Sequence, residues 1–189
     1  MYLVRFQAAP HMTELVVLVN EKNEEIGTAD KDSVHTKDTP LHRAFSLFLL
    51  NSKNQVLLTK RASTKRTFPG VWTNTVCGHP APGESVTDAA KRRLKMELGI
   101  EGVVVTEVAP FTYRAQDING IVENEICPIC ICQYDGDPVP NTAEVEQWRW
   151  MDWNLFLREV NDNPMAYSPW SVAETKILAS RQIQLIGRG

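Results

Sequence analysis

The sequence predicts an α+β domain in which helices flank a mixed β-sheet. Short apolar runs rich in Val, Ile and Leu predict several strands. One clear amphipathic helical pattern, at residues 85–98, divides them, and two further helices are expected beyond Asp152. Hydrophobic residues make up 43% of the 189 residues and charged residues 23%, which is typical of a globular chain with a buried core and argues against disorder. Strands, a helix, more strands and then helices indicate this fold class.

The first predicted elements are strands. The apolar run Leu15–Val19 predicts the first strand, and the polar segment 20–39 is expected to be a loop. Residues 44–50 and 55–60 flank the turn-forming sequence 51–54, so they predict a β-hairpin. A basic loop follows this hairpin.

A short strand is predicted at residues 71–76. The helix at 85–98 begins with Ser85 and Asp88 at capping-box spacing, and Gly99 can close its C-terminus.

After this helix, residues 103–115 and 121–133 predict two strands, and the two helices beyond Asp152 are separated near Pro164 and Pro169. We expect residues 14–186 to form one domain preceded by an extension at residues 1–13.

Charge and hydropathy exclude some classes of partner. The formal net charge of −3 and the isoelectric point near 5.8 give no basic footprint for nucleic acid. The longest apolar stretches fall far short of the about 20 residues that span a bilayer, and no secretory h-region is present near Met1. We therefore expect a cytoplasmic protein that binds neither nucleic acid nor membranes. A monomer is expected, with a dimer left open.

Three of the four cysteines lie within six residues, at Cys127, Cys130 and Cys132. The spacing of Cys127 and Cys130 suggests zinc or redox chemistry. However, an odd separation within a strand places the two side chains on opposite faces, and no second such pair exists in the sequence. We therefore predict buried structural thiols.

A spaced motif begins at Gly78 and continues through Glu84, Arg92 and Glu97 to the end of the predicted helix. The spacing resembles the Nudix box, a loop and helix that hold a metal ion and a diphosphate. An ordinary amphipathic surface helix is the alternative. Arg93 and Met96 occupy positions at which a Nudix hydrolase carries glutamates, so the scaffold is expected to remain while the hydrolytic chemistry is lost.

The segments around this box carry a more specific resemblance. Residues 73–80, 113–114 and 120–125 closely resemble type 1 isopentenyl-diphosphate delta-isomerases. Further matches are Lys31 with His35, residues 39–42, Arg61 with Lys65, residues 69–72, and residues 168–170. The resemblance runs from about Glu14 into the C-terminal helices. It implies a Nudix-like domain with N- and C-terminal additions and the reversible conversion of isopentenyl to dimethylallyl diphosphate, a step of isoprenoid synthesis that passes through a tertiary carbocation.

The resemblance also implies a divalent metal site. Its ligands would be His35, His42, His79, Glu123 and Glu125. Glu123 and Glu125 are two residues apart in a predicted strand and so face the same side. This donor set is compatible with Mn²⁺ or Mg²⁺ and also with Zn²⁺. Taken singly, each histidine could equally be a loop residue, and the glutamates could belong to a polar strand face. His11 lies outside the match.

Moving the double bond needs an acid and a base on either side of a flat substrate. The resemblance implies Cys77 and Glu125 for these roles, with Tyr113 beside Glu125. We favour protonation of C4 by Glu125 and Tyr113 and action of Cys77 at C2, and the opposite assignment stays open. The alternative to a catalytic role is that Cys77 is a small buried residue that only packs at the end of a strand.

The resemblance assigns further residues to the substrate. Trp170 would face the carbocation, since an indole face attracts cations. A Mg²⁺ ion bound together with the diphosphate would be held by Cys77 and Glu97. The diphosphate itself would contact four cationic side chains: Lys31, Arg61, Lys65 and Arg93. Two other functions remain open at this point, a Nudix-type diphosphate hydrolase and a non-catalytic metal- or ligand-binding module.

Overall fold

The computed structural model describes residues 14–181. Its strands, numbered along the chain, are β1 Leu15–Val19, β2 Glu25–Asp30, β3 His42–Arg43, β4 Phe45–Leu50, β5 Gln55–Arg61, β6 Trp72–Thr73, β7 Val76–Gly78, β8 Thr106–Ala109, β9 Thr112–Gln116, β10 Val122–Ile126, β11 Ile129–Gln133 and β12 Val145–Asp152. Its helices are α1 Lys31–Val34, α2 Val86–Leu98, α3 Trp153–Asp162 and α4 Pro169–Ser180, with a 3₁₀ turn at Pro164–Ala166.

Within residues 14–181 the strands form two mixed sheets. One sheet has the order β2-β1-β3-β10-β9, and the other has the order β12-β5-β4-β11-β8, with β6 beside β5 and β7 beside β4. The pairs β3–β10 and β4–β11 are parallel, and the remaining pairs are antiparallel. Mixed sheets with flanking helices confirm the predicted α+β class.

The chain passes from one sheet to the other at three places: between β3 and β4, between β8 and β9, and between β10 and β11. Pro110 and Pro128 lie at two of these crossings and cannot donate a hydrogen bond to a β-ladder. The predicted single strands at 103–115 and 121–133 are therefore wrong in extent, because each is two strands in different sheets. The site described below lies beside these crossings.

Three other parts of the chain differ from the sequence prediction. Segment 20–39 is not all loop, because it contains the largely exposed strand β2 and helix α1, whose polar composition hid them. The strand predicted at 71–76 is interrupted, with β6 and β7 separated by the buried pair Asn74 and Thr75. Strand β12, which pairs along β5, was not predicted.

Helix α2 agrees closely with the prediction. The Ser85 hydroxyl caps it by accepting a hydrogen bond from the Asp88 backbone N–H at 3.1 Å. Gly99 ends it in the left-handed conformation, with φ of 66°, which a glycine adopts without steric cost. Helices α3 and α4 lie where two C-terminal helices were expected, and Pro169 occupies the first turn of α4.

All six side chains of β4 are buried because the sheet is covered on both faces. Leu47 and Leu49 pack in the apolar cluster that includes Leu94 and Leu98 of α2. Phe48 and Leu50 pack in a second cluster, with Phe156 of α3 and Leu178 of α4 among its members. The middle of this sheet is thereby held rigidly between helices, and β4 and β7 carry site residues from it.

None of the helices within residues 14–181 is long and apolar enough to cross a membrane. The predicted extension at 1–13, with His11, and the predicted domain end at 182–186 lie outside the described residues. The expected domain bounds therefore stay a prediction.

Candidate active site

Five side chains from four separate segments converge on one point. His35 follows α1, His42 lies in β3 and His79 directly follows β7, while Glu123 and Glu125 lie on one side of β10. One ligand atom from each lies within 4.8 Å of all the others. We call this group the His/Glu cluster.

The orientation of the imidazole rings in this cluster fits a metal ion. Nδ1 of His42 lies 2.9 Å from the Pro40 carbonyl and Nδ1 of His35 lies 3.3 Å from the Lys31 carbonyl. If these nitrogens carry the ring protons, both Nε2 lone pairs face the cluster. Among the described residues, buried His35 Nε2 and Glu123 Oε2 have no hydrogen bond of good geometry although they are 3.0 Å apart. Such atoms are suited to share a cation.

Glu125 links the cluster to Tyr113. Its Oε1 lies 3.0 Å from His79 Nε2, and its Oε2 accepts a hydrogen bond of 2.9 Å from the Tyr113 hydroxyl. Burial opposes ionisation of Glu125, but its interactions with His42 and His79 outweigh this effect and hold its pKa well below the usual value. Burial and the Glu125 charge raise the pKa of Tyr113 well above its usual value. Tyr113 is therefore a neutral phenol that donates to a carboxylate.

Cys77 borders the same cleft, which has a volume of about 330 Å³. Its Sγ lies 3.2 Å from Asn74 Oδ1 and 3.4 Å from Ser46 Oγ. Burial, and then the charge of Glu174, raise the pKa of the Cys77 thiol to about 12. The group is a thiol rather than a thiolate near neutral pH.

Trp170 forms an apolar wall of the cleft. Its ring centroid lies 5.0 Å from that of Phe68 and 5.7 Å from that of Tyr113. The indole N–H donates to Asn74 Oδ1 at 3.2 Å, so Asn74 orients both Trp170 and Cys77. The wall is aromatic and fixed in position.

Among the described residues, five cationic side chains border the cleft, one of which is Arg66. We call the other four the basic end: Lys31, Arg61, Lys65 and Arg93. Lys31 is paired with Glu14, and Lys65 is paired with Glu144.

Arg93 is buried and paired through Nη2 with Glu97 at 2.6 Å and with Glu144 at 3.2 Å. Arg61 donates to the backbone carbonyls of Thr67 and Phe68, and its guanidinium lies 5.6 Å from the Trp170 ring centroid. The cations of the basic end therefore already form ion pairs with carboxylates or hydrogen bonds with backbone carbonyls of the protein.

Glu97 does not line the main cleft. It borders an adjoining cavity of about 20 Å³ together with Cys77, Arg61, Lys65 and Glu144. Burial raises the pKa of Glu97, and the pairing with Arg93 only partly offsets this. Its carboxylate is a hard oxygen donor of the kind that Mg²⁺ prefers, whereas a thiol sulfur such as that of Cys77 is not.

The other glutamate of the Nudix-like motif has a structural position. Glu84 pairs with Arg92 at 2.7 Å and accepts from the Ala81 backbone N–H at 2.8 Å. These bonds join the loop after His79 to helix α2. Glu84 does not border the main cleft.

The structure brings nearly all sequence-predicted site residues to one cleft, with His42 buried beneath it and Glu97 beside it. Cys127, Cys130 and Cys132 are buried, as predicted, although the chain between the first two changes sheets. Sequence reasoning gave no role to four residues near the site: Ser46, Asn74, Glu144 and Glu174. Of these four, only Glu174 could have been linked to the site from the sequence, because it lies one helical turn after Trp170 and therefore on the same helix face.

Comparison with known families identifies the domain. The NUDIX domain model matches residues 40–170. Isopentenyl-diphosphate delta-isomerase of Paenarthrobacter aurescens is 49% identical over 159 residues, covering 84% of this chain and 86% of the relative. The Saccharopolyspora erythraea protein of the same name is 51% identical and covers 83% and 81%. That of Escherichia coli is 45% identical and covers 90% and 94%.

Solved structures support the fold at lower identity. A Deinococcus radiodurans protein superposes with a TM-score of 0.70 at 20% identity, covering 87% of this chain and 98% of that one. A NUDIX hydrolase of Alicyclobacillus acidocaldarius gives a TM-score of 0.59 at 15% identity, covering 80% and 99%. At these identities the likeness concerns the fold alone.

Proposed function

The chain belongs to the isopentenyl-diphosphate delta-isomerase family and carries its NUDIX domain at residues 40–170, and we propose that it interconverts isopentenyl and dimethylallyl diphosphate. One observation carries this proposal beyond the family match. A single cleft is bordered by two separate groups that can exchange protons, the Cys77 thiol and the Glu125–Tyr113 pair, together with an aromatic wall and the cations of the basic end.

The reaction adds a proton to C4 of the alkene, which leaves a tertiary cation at C3, and then removes a proton from C2. We assign C4 to the Glu125–Tyr113 pair, because the neutral phenol carries a proton that it shares with the carboxylate at the cleft. We assign C2 to Cys77. The reverse direction exchanges the two roles.

The His/Glu cluster would hold one divalent ion through its five side chains, and the donor set suits Mn²⁺ or Mg²⁺ as well as Zn²⁺. A bound ion supplies positive charge that fixes the Glu125 carboxylate and tunes its basicity. His42 and His79 hold Oε1 of this carboxylate. Its other oxygen therefore stays directed at Tyr113.

The carbocation needs stabilisation without water. Trp170 offers an indole face, and attraction of a desolvated cation to such a face is worth about 2 kcal/mol. The side chain is 3% exposed and is held by Asn74 and Phe68, so the ring does not turn away. An aromatic wall attracts the cation without forming a covalent bond to it.

The diphosphate would bind at the basic end, and the Glu97 carboxylate would hold the accompanying Mg²⁺. Cys77 lines the same small cavity, but its thiol sulfur is a poor ligand for this hard cation. Hydrolysis of the diphosphate is the weaker alternative. Arg93 is buried against Glu97 and neutralises the carboxylate, while Met96, at the other departure from the hydrolase pattern, is 47% exposed. Few carboxylates then remain to activate a water molecule. A monomeric, cytoplasmic enzyme acting on small diphosphates completes the proposal.

An assay with isopentenyl diphosphate tests the function directly. We expect dimethylallyl diphosphate as the product, with neither phosphate nor pyrophosphate released. Release of phosphate would instead indicate a hydrolase, and binding without turnover would indicate a non-catalytic module. An ethyl diphosphate bearing a protonated dimethylamino group should inhibit far more strongly than its neutral isostere, since it resembles the cation.

A further inference from the structure

A buried carboxyl group lies beneath the floor of the cleft. Glu174 of α4 is fully buried, and among the described residues neither of its oxygens has a hydrogen bond of good geometry. It lies one helical turn after Trp170, so both side chains leave α4 on the same face. A carboxyl group is costly to bury without partners, and packing alone does not explain it.

The Ser46 hydroxyl joins this carboxyl to the cleft. Ser46 is fully buried in β4 and lies beside the Glu174 carboxyl. Its Oγ is 3.4 Å from the Sγ of Cys77, which pairs with it across strands β4 and β7. A hydroxyl group can accept one proton while donating another. Ser46 therefore stands between the carboxyl and the thiol.

We propose that Glu174, acting through Ser46, is the proton acceptor and donor behind Cys77 in the isomerisation, and this rests on the proposed function. In the forward direction the C2–H bond breaks, its electron pair becomes the C2=C3 double bond, and its proton binds the Cys77 sulfur. The proton first held by sulfur passes to Ser46 Oγ, and the Ser46 hydroxyl proton passes to the Glu174 carboxylate. The cation at C3 and the carboxylate are thereby neutralised together.

This route explains how a buried thiol exchanges a proton without becoming a free thiolate. Cys77 remains protonated at the start and at the end, and Glu174 carries the change of charge. Burial raises the pKa of Glu174 to about 8, so near neutral pH the group is close to the balance at which it can both accept and release a proton. Reversal of the same steps serves the opposite reaction.

The test uses Glu174→Gln, which keeps the shape of the side chain but cannot accept the proton. We expect kcat to fall about 100-fold or more with KM little changed, the range expected for loss of acid–base catalysis. Ser46→Ala, which interrupts the same route, should act similarly and carries the test if the first variant does not fold. Cys127→Ala is the matched control, because Cys127 Sγ also contacts Ser46, at 3.5 Å, but does not border the cleft.

A second readout separates this role from structural damage. In D₂O the cation formed at C3 either loses a C2 proton to give product or returns a C4 proton to give deuterated substrate. Both relay variants should raise the ratio of C4-deuterated isopentenyl diphosphate to product, whereas general damage lowers both. An unchanged ratio and kcat in Glu174→Gln, or in Ser46→Ala, would overturn the relay. Absence of turnover in the unmutated protein would instead overturn the proposed function.

Discussion

The His/Glu cluster and the basic end of the cleft both concentrate charge, but they satisfy it differently. In the cluster, ligand atoms such as His35 Nε2 and Glu123 Oε2 face a common point, and the protein provides them no hydrogen bond of good geometry within the described chain. At the basic end, Lys65 and Arg93 are already paired with Glu144 and Glu97. The cluster is thus built to receive a cation, whereas at the basic end an incoming anion must compete with carboxylates.

Removing a carboxylate should therefore have opposite effects in the His/Glu cluster and at the basic end. In the cluster a carboxylate would contribute directly to the proposed metal binding. At the basic end Glu144 is paired with Lys65 and Arg93, so it would compete with the proposed diphosphate substrate for these cations.

Cys77 lines the cleft but belongs to neither the His/Glu cluster nor the basic end, so its loss should leave both intact. We expect Cys77→Ala to lower kcat by roughly 10³-fold, because proton exchange at C2 is lost while little volume is removed. Metal content and pyrophosphate affinity should stay near those of the unmutated protein. Cys132→Ala, in the core away from the cleft, is the control. Near-normal turnover by a folded Cys77→Ala protein would contradict the assigned role.

A change in the cluster should affect metal binding and not anion binding. Glu123→Gln should weaken Mn²⁺ binding roughly 10- to 100-fold, the scale of effects found around metal ligands, because a neutral amide replaces a charged donor. Titration calorimetry with Mn²⁺ measures this, and pyrophosphate binding to the same protein is the internal control. Unchanged Mn²⁺ affinity would show that Glu123 is not a ligand.

Glu97→Gln should separate the two metal ions. A neutral amide is a poorer ligand for a hard cation, so we expect Mg²⁺-dependent binding of pyrophosphate to weaken about tenfold. The ion in the His/Glu cluster should remain, and metal analysis after gel filtration checks this. If a folded Glu97→Gln protein loses that ion, the partition of ligands between the two sites is wrong.

The smallest effect should have the opposite sign. Glu144→Gln removes a carboxylate that competes for Lys65 and Arg93, so we expect pyrophosphate to bind about two- to fivefold more tightly, on the scale of a weak ion pair. Glu146→Gln is a closely matched control, since Glu146 forms a surface pair with Lys60 at 2.7 Å. Weaker pyrophosphate binding by Glu144→Gln would instead indicate that Glu144 chiefly positions the cations.

Local features of the fold were predictable from the sequence, and extended ones less so. Helix α2 was predicted from its cap residue Ser85 to Gly99, because capping depends on neighbours in the chain. The long predicted strands were wrong in extent because the change of sheet at Pro110 and Pro128 is decided by which strands lie alongside. Strand β12 was missed since its exposed and half-buried side chains give no clear apolar alternation.

In the site, too, features local in the sequence were predictable, whereas contacts between distant segments were not. The set of cluster ligands came from a resemblance in spaced motifs, and their convergence could be checked only once β3, β7 and β10 were placed. Nothing in the sequence joins Ser46 to Glu174, which are separated by most of the domain. Their proximity depends on α4 packing over β4 through the core.

The amino-acid sequence supplies the chemical groups of the site and indicates the family. These groups are the histidines and glutamates proposed to hold a metal, the thiol and phenol proposed to exchange protons, and the arginines and lysines proposed to bind a diphosphate. Which of these groups lack hydrogen-bonding partners and which are already paired depends on how the chain folds. That outcome depends on burial and on side chains from distant segments, since desolvation and hydrogen bonding act through space rather than along the chain. Tertiary packing therefore left His35 and Glu123 facing a common point and brought Glu174 beneath the cleft.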